Sequence, residues 1–153
     1  MTEENRYREL FENASDVIYI HDFDGRILLI NKALDRLTGR RRQELLASNI
    51  FDLLEPDCRG PVRDLIRQLL GGRSSGRVEI GLCDTAGRRF EFEAACRLLF
   101  DQGRPAGVEV IARDITWRKR TELIERRRNR VLELAASDAP LESLVAALAA
   151  FLE

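Results

Sequence analysis

The sequence predicts an α+β domain: a five-stranded antiparallel sheet with short helices packed on one face, flanked by an N-terminal and a C-terminal helix. Three observations predict it. Asp24-Gly25, set between two runs rich in β-formers, announces a hairpin near the start of the chain. Short stretches of helical apolar spacing follow as far as Leu70. Beyond Val78 the period changes to two, in three runs separated by Gly-containing turns. Helix, two strands, short helices and three long strands in that order give one sheet with its helices on one side.

Each element has its own warrant. Tyr7, Leu10, Phe11 and Ala14 share a helical face, so residues 3–14 form a short amphipathic helix within an N-terminal segment 1–15. "DVIYIHDFDGRILLIN" supplies the two hairpin strands. Asn31 is placed to cap a helix running through Leu37, with Gly39 at its C-terminal end. Helical pieces follow at 42–47 and 50–54, stopped by Pro56. Val62, Leu65, Ile66, Leu69 and Leu70 then form one stripe over 57–70, ended by Gly71-Gly72. Val78, Ile80 and Leu82 alternate with Glu79, Gly81 and Cys83, and Phe90 through Phe100 alternate in the same way. A last strand covers 107–114, completing an antiparallel meander. A helix of about 20 residues then runs from Trp117 to Ala136, "SDAP" interrupts it, and a stripe from Leu141 to Leu152 begins.

The chain has 153 residues, 44% hydrophobic and 33% charged, which suits one globular domain with an appendage. Its net charge of −1 gives the whole chain no bias toward nucleic acid or an anionic membrane. No apolar run approaches the ~20 residues of a membrane span. The polar start "MTEENRYREL" is no secretory signal, so a chain beginning naturally at Met1 is expected in the cytoplasm. Cys58, Cys83 and Cys96 are odd in number and contain no C-x-x-C pair, which argues for reduced thiols and against a zinc site; no metal ligands are expected.

The motifs now resemble those of the PAS family. The matching stretches are "FENASDVIYIHDFDGRILLINKALDRLTGR", "LLEPDCRGPVRDLI" and "DTAGRRFEFEAACRLLFDQGRPAGVEVIARDIT". They carry the family's Asp-x-x-Gly-Arg hairpin (Asp22, Gly25, Arg26), an Asn at the next helix start (Asn31), a Gly closing that helix (Gly39), and Asp-Ile-Thr ending the last strand (Asp114 to Thr116). The resemblance places a PAS domain at 16–116 and a signalling helix at 117–136. Residues 137–153 look like the start of a GAF-like domain. The resemblance implies a sensory module of a bacterial multidomain signalling protein, with a histidine kinase, a cyclic-dinucleotide enzyme or another effector as output.

Family chemistry can be checked residue by residue. Flavin-binding members place their reactive Cys in Asn-Cys-Arg-Phe-Leu-Gln; here Cys58 sits in "PDCRGPV", with Asp57 for the Asn and Gly60-Pro61-Val62 for Phe-Leu-Gln. Haem-binding members usually supply an axial His from the helix at 57–70, which has none, and His21 alternates with Val17 and Tyr19 on the first strand. Neither cofactor is expected. Glu91 and Glu93 share a strand face opposite Phe90 and Phe92, a solvated position, and no catalytic constellation is present. The domain is not expected to be an enzyme. The expected concave face is lined by Ile18, Ile20, Leu37, Phe51, Leu54, Ile66, Val78, Ile80, Phe92, Ala94 and Cys96. Small residues at Ala94 and Cys96 leave room for a small organic ligand, unless bulky helix residues fill the space and leave a dry core.

Asp114, Ile115, Thr116 and Trp117 join the last strand to the helix and form the expected route for a signal. Thr116 is placed as the N-cap, with Asp114 beside the helix start. From Arg118 to Arg130, seven Lys/Arg face two Glu, a balance of +5. Without interleaved aromatics, this reads as a connector or a dimer helix rather than a nucleic-acid arm. Trp117, Ile124 and Val131 recur every seven residues and Leu134 follows, but Arg120 and Arg127 occupy the d-type sites, so any coiled coil is weak. A homodimer is expected through Tyr7, Leu10 and Phe11 of the first helix and Ile124, Val131 and Leu134 of this one.

Overall fold

The computed structural model describes residues 2–152 and divides into two compact units, Met1–Ile115 and Thr116–Glu153. The first holds a five-stranded antiparallel sheet in the order β2-β1-β5-β4-β3. Its strands are β1 (Val17–His21), β2 (Ile27–Ile30), β3 (Gly76–Cys83), β4 (Arg89–Asp101) and β5 (Arg104–Asp114). The helices are α1 (Glu3–Asn13), α2 (Ala33–Thr38), α3 (Arg42–Leu46), α4 (Ile50–Leu53) and α5 (Pro56–Leu70). The expected fold class is therefore the observed one.

Two turns of the same chemistry set up the sheet. In Asp22-Phe23-Asp24-Gly25-Arg26, Asp22 Oδ1 accepts from the amides of Asp24 (3.0 Å) and Arg26 (2.8 Å). In Asp84-Thr85-Ala86-Gly87-Arg88, Asp84 Oδ1 accepts from those of Ala86 (2.9 Å) and Arg88 (2.7 Å). Each ends in a glycine with positive φ, at +91° for Gly25 and +81° for Gly87, which an L side chain adopts only under strain. Gly25 has a second constraint: a Cβ there would lie 2.5 Å from Asn49 Oδ1 and 2.6 Å from the Phe51 ring. Asn49 Nδ2 also donates to Asp24 O, and the Ile50 amide to Gly25 O, both at 2.7 Å. The hairpin turn is thus locked against α4.

The core lies between the sheet and α2 to α5. Val62, Leu65, Ile66 and Leu69 of α5 are buried, facing Ile80, Leu82, Phe92, Val108 and Val110 across it. Burying each such side chain contributes roughly 1.5–3 kcal/mol. Asn31 is fully buried and ties four elements together. Its Oδ1 accepts from the Ile18 amide (3.0 Å) and the Ala33 amide (3.4 Å), and its Nδ2 donates to Phe11 O and Asp16 O (3.0 Å each). Sequence reasoning placed Asn31 as the N-cap of α2. By position Lys32 is the cap, without a side-chain bond, and Asn31 acts as a hub instead.

The second unit contains α6 (Thr116–Ala136) and α7 (Leu141–Leu152), which are in contact with each other. No residue of either helix is fully buried. α6 begins one residue earlier than expected, with Thr116 as its first residue rather than a cap ahead of it. Among the described residues, no helix is long and apolar enough to cross a membrane.

Candidate functional site: the space beneath the sheet

Strand parity decides which side chains reach the space between sheet and helices. β1 alternates with Val17, Tyr19 and His21 buried and Ile18 and Ile20 only partly covered. Its partners agree: Ile18 pairs with Ile111, which is 42% exposed, and Ile20 with Leu29, at 40%. Ile18 and Ile20 therefore lie on the outer face of the sheet, which corrects their expected place in the pocket. Hydrophobicity favoured the two isoleucines, but a Tyr and a His occupy the inner face, and parity overrides side-chain type.

An apolar cavity does lie under the sheet. Its walls are Val17 and Tyr19 of β1, Ile27 and Ile30 of β2, Ile80 and Leu82 of β3, Phe92 of β4 and Ala112 of β5, closed by Leu34 of α2 and Ile50 of α4. Its volume is about 10 Å³, close to the minimum that admits one water. With no polar group to hold that water except the Tyr19 hydroxyl, the space is too small and too apolar to favour one.

Apart from Ile18 and Ile20, the expected lining residues separate into three groups. Ile80 and Phe92 line the cavity. Leu54, Ala94 and Cys96 are buried in the surrounding core, with Leu37 and Val78 partly buried against it. Phe51 and Ile66 instead line a second, open groove with Phe23, Arg63, Arg67 and Leu70. Sequence reasoning missed Val17, Tyr19, Ile27, Ile30, Leu34, Leu82 and Ala112. The alternation of Val17, Tyr19 and His21 was the signal that could have found the first two.

The titratable groups here are poised to stay neutral. Burial pushes the Tyr19 phenol well above its ordinary range, with the Cys96 thiol adding to the effect. Burial pushes the Cys96 thiol up to about 11, so it remains protonated and a poor nucleophile at neutral pH. His21 is pulled below its ordinary value by burial, against the opposing pull of the Asp22 carbonyl and carboxylate. His21 Nδ1 lies 2.7 Å from Asp22 O, so we assign its proton there, and the ring stacks on Tyr19 at 5.9 Å. Glu91 and Glu93 are half-buried rather than solvated, in ion pairs with Arg89 (3.1 Å) and Arg77 (3.4 Å). Nothing in this set supplies an acid–base pair facing a cavity.

β5 connects the cavity to the C-terminal helix. Ala112 lines the space, Asp114 ends the strand, Ile115 is buried with its amide donating to Glu91 O (2.9 Å), and α6 starts at the next residue.

Comparison with known proteins accords with this architecture. The model of the PAS fold matches residues 5–115. The chain belongs to the PAS family. Over 124 residues the chain is 28% identical to the methyl sulfide methyltransferase-associated sensor of Methanosarcina acetivorans, covering 80% of the chain and 12% of that protein. Over 140 residues it is 29% identical to the methanogenesis regulatory histidine kinase FilI of Methanothrix harundinacea, covering 88% and 15%. The chain thus spans about an eighth of each curated relative's length. Among solved structures, a domain of the sensory box sensor histidine kinase/response regulator from Geobacter sulfurreducens is 31% identical. The overlap covers 73% of this chain and 94% of that one, with a TM-score of 0.58.

Proposed function

We propose that this PAS domain is the regulatory module of a multidomain signal-transduction protein, passing a change at the sheet to α6 and so to an output domain further along the chain. The passage of β5 into α6 carries the reading. Ala112 lines the core, Ile115 remains in the hydrogen-bond ladder, and one residue separates strand from helix. In this reading a shift of the strand passes along the chain to the first turn of the helix. The Methanosarcina sensor and the Geobacter sensory box protein support a sensory role, and the histidine kinases among the likenesses support a kinase as output. The module itself is non-catalytic, it acts as a homodimer in the cytoplasm, and α7 opens a GAF-like domain. A bacterial setting is favoured by the Geobacter likeness and opposed by the two Methanosarcina and Methanothrix relatives.

The size of the cavity favours a second reading of the input. A small-molecule site typically takes 300–1,000 Å³, and the space here is about 10 Å³. The input then arrives from a partner or at the surface rather than in a preformed internal void.

In the full-length protein, Asp114→Ala is expected to leave this domain folded, at a cost of about 1 kcal/mol, while abolishing the response of the output to stimulus. Thermal melting and output assays on the same preparation check this. A normal response in the variant refutes the route.

A further inference from the structure

We propose that the open groove beside α5 is a binding site for a small amphiphilic monoanion, a carboxylate carried on an aromatic or aliphatic body. The groove lies apart from the internal cavity and shares no residue with it. Its volume is about 240 Å³, enough for a fragment-sized ligand. The floor is apolar: Phe23 from the β1–β2 turn, Phe51 from α4, and Ile66 and Leu70 from α5. Leu70 is 48% exposed, a large apolar side chain with no cover at the end of the groove.

Charge decides the ligand class. Two of the six lining residues are arginines, and none is acidic. The Arg63 guanidinium lies over the Phe51 ring, 4.5 Å from its centroid. That stacking holds its flat face on carbon and leaves the N–H edge to an incoming anion. Arg67 Nη1 pairs with Asp64 at 2.8 Å, both side chains well exposed, a weak pair that spares the other guanidinium donors. A carboxylate meeting two guanidiniums above an apolar floor gains charge-assisted hydrogen bonds at one end and burial at the other.

The floor is preformed. The absence of a Cβ at Gly25 lets the turn close onto Phe51, and the Asn49 and Ile50 bonds to Asp24 and Gly25 hold α4 in place. The same short helix links the groove to the core. Ile50 lines the internal cavity and the adjacent Phe51 lines the groove. A ligand seated on Phe51 therefore bears on α4 from outside, which would give the domain an input that a full core denies it. Binding itself does not depend on the signalling role, so the test reads binding alone.

The test titrates the chain with 4-phenylbutyrate and, separately, its neutral amide, followed by amide NMR shifts and calorimetry. A ligand of this size is expected to bind with a dissociation constant on the order of 1 mM. Shifts should centre on Phe23, Phe51, Arg63 and Leu70, and the amide should bind about tenfold more weakly. Arg63→Met keeps the stem on Phe51 and should weaken the carboxylate about tenfold while leaving the amide unchanged. Ile80→Phe, which fills the internal cavity, should leave carboxylate binding unchanged. Equal affinity for acid and amide, shifts centred on Ile30, Ile80 and Phe92, or no binding by 10-fold above that concentration would each overturn the proposal.

Discussion

His21 shows how a single buried group makes stability depend on pH. It is the sole histidine of the sequence and is 1% exposed, with its pKa held below the ordinary 6.5 chiefly by burial. The unfolded chain therefore takes up this proton first as pH falls, and the unfolded state gains from it. The contribution of His21 is fully present above its unfolded pKa and is lost as pH drops below 6.5 toward the folded value. Melting temperature is expected to be flat near pH 7–8 and to fall on acidification below 6.5, before the carboxylates titrate. In His21→Gln that slope should flatten; an identical slope in wild type and variant would exclude His21 as its source. No local pattern marks this burial, because a lone strand histidine reads equally well as a surface residue.

Between elements, Asn31 is the joint. Its buried side chain holds the end of α1, the start of β1 and the start of α2 by bonds of 3.0–3.4 Å. Asn31→Ala would leave buried backbone groups without partners and is expected to cost about 2–3 kcal/mol. Denaturant unfolding should show this loss, and hydrogen exchange should show α1 opening ahead of the sheet. Uniform exchange across α1 and the sheet would argue against a hinge at this residue. α1 depends on such anchoring because none of its own residues is buried, and Tyr7 and Leu10 are 68% and 64% exposed. Its existence was legible in the spacing of Tyr7, Leu10, Phe11 and Ala14. Its attachment was not, since hydrogen bonds across 15–20 residues leave no periodic trace.

At the scale of the whole molecule, both units present apolar side chains at the surface. The outer sheet face carries the partly exposed Ile18, Ile20, Leu29 and Ile111, and α6 carries Ile124 at 57% exposure. If the chain dimerises through α1 and α6, sedimentation should give twice the single-chain mass for the full chain and the single-chain mass for a version ending at Thr116. A single-chain mass for each would refute that dimer. Val131 and Leu134, on the expected seam, are already half-buried within the helical unit of α6 and α7, which leaves Ile124 as the open position of the three. The seam is short because Arg120 and Arg127 interrupt it, so the association should be weak.

The sequence by itself determined the elements, their order and the class of fold. Turn chemistry and apolar period act over a few residues, and Asp22 to Arg26, Asp84 to Arg88 and the stripe on α5 each carry their signal locally. It also determined that the last strand feeds a helix without a loop. Only the tertiary structure decided which face of β1 looks inward, placing Tyr19 and His21 beneath the sheet and Ile18 and Ile20 outside. It decided too that the cavity closes to about 10 Å³, and that Phe51 and Ile66 meet Arg63 in a separate groove. Parity shifts by one residue reverse a strand, and cavity volume is a small difference between large packed volumes. Both depend on where distant elements stop against one another, which no local pattern records.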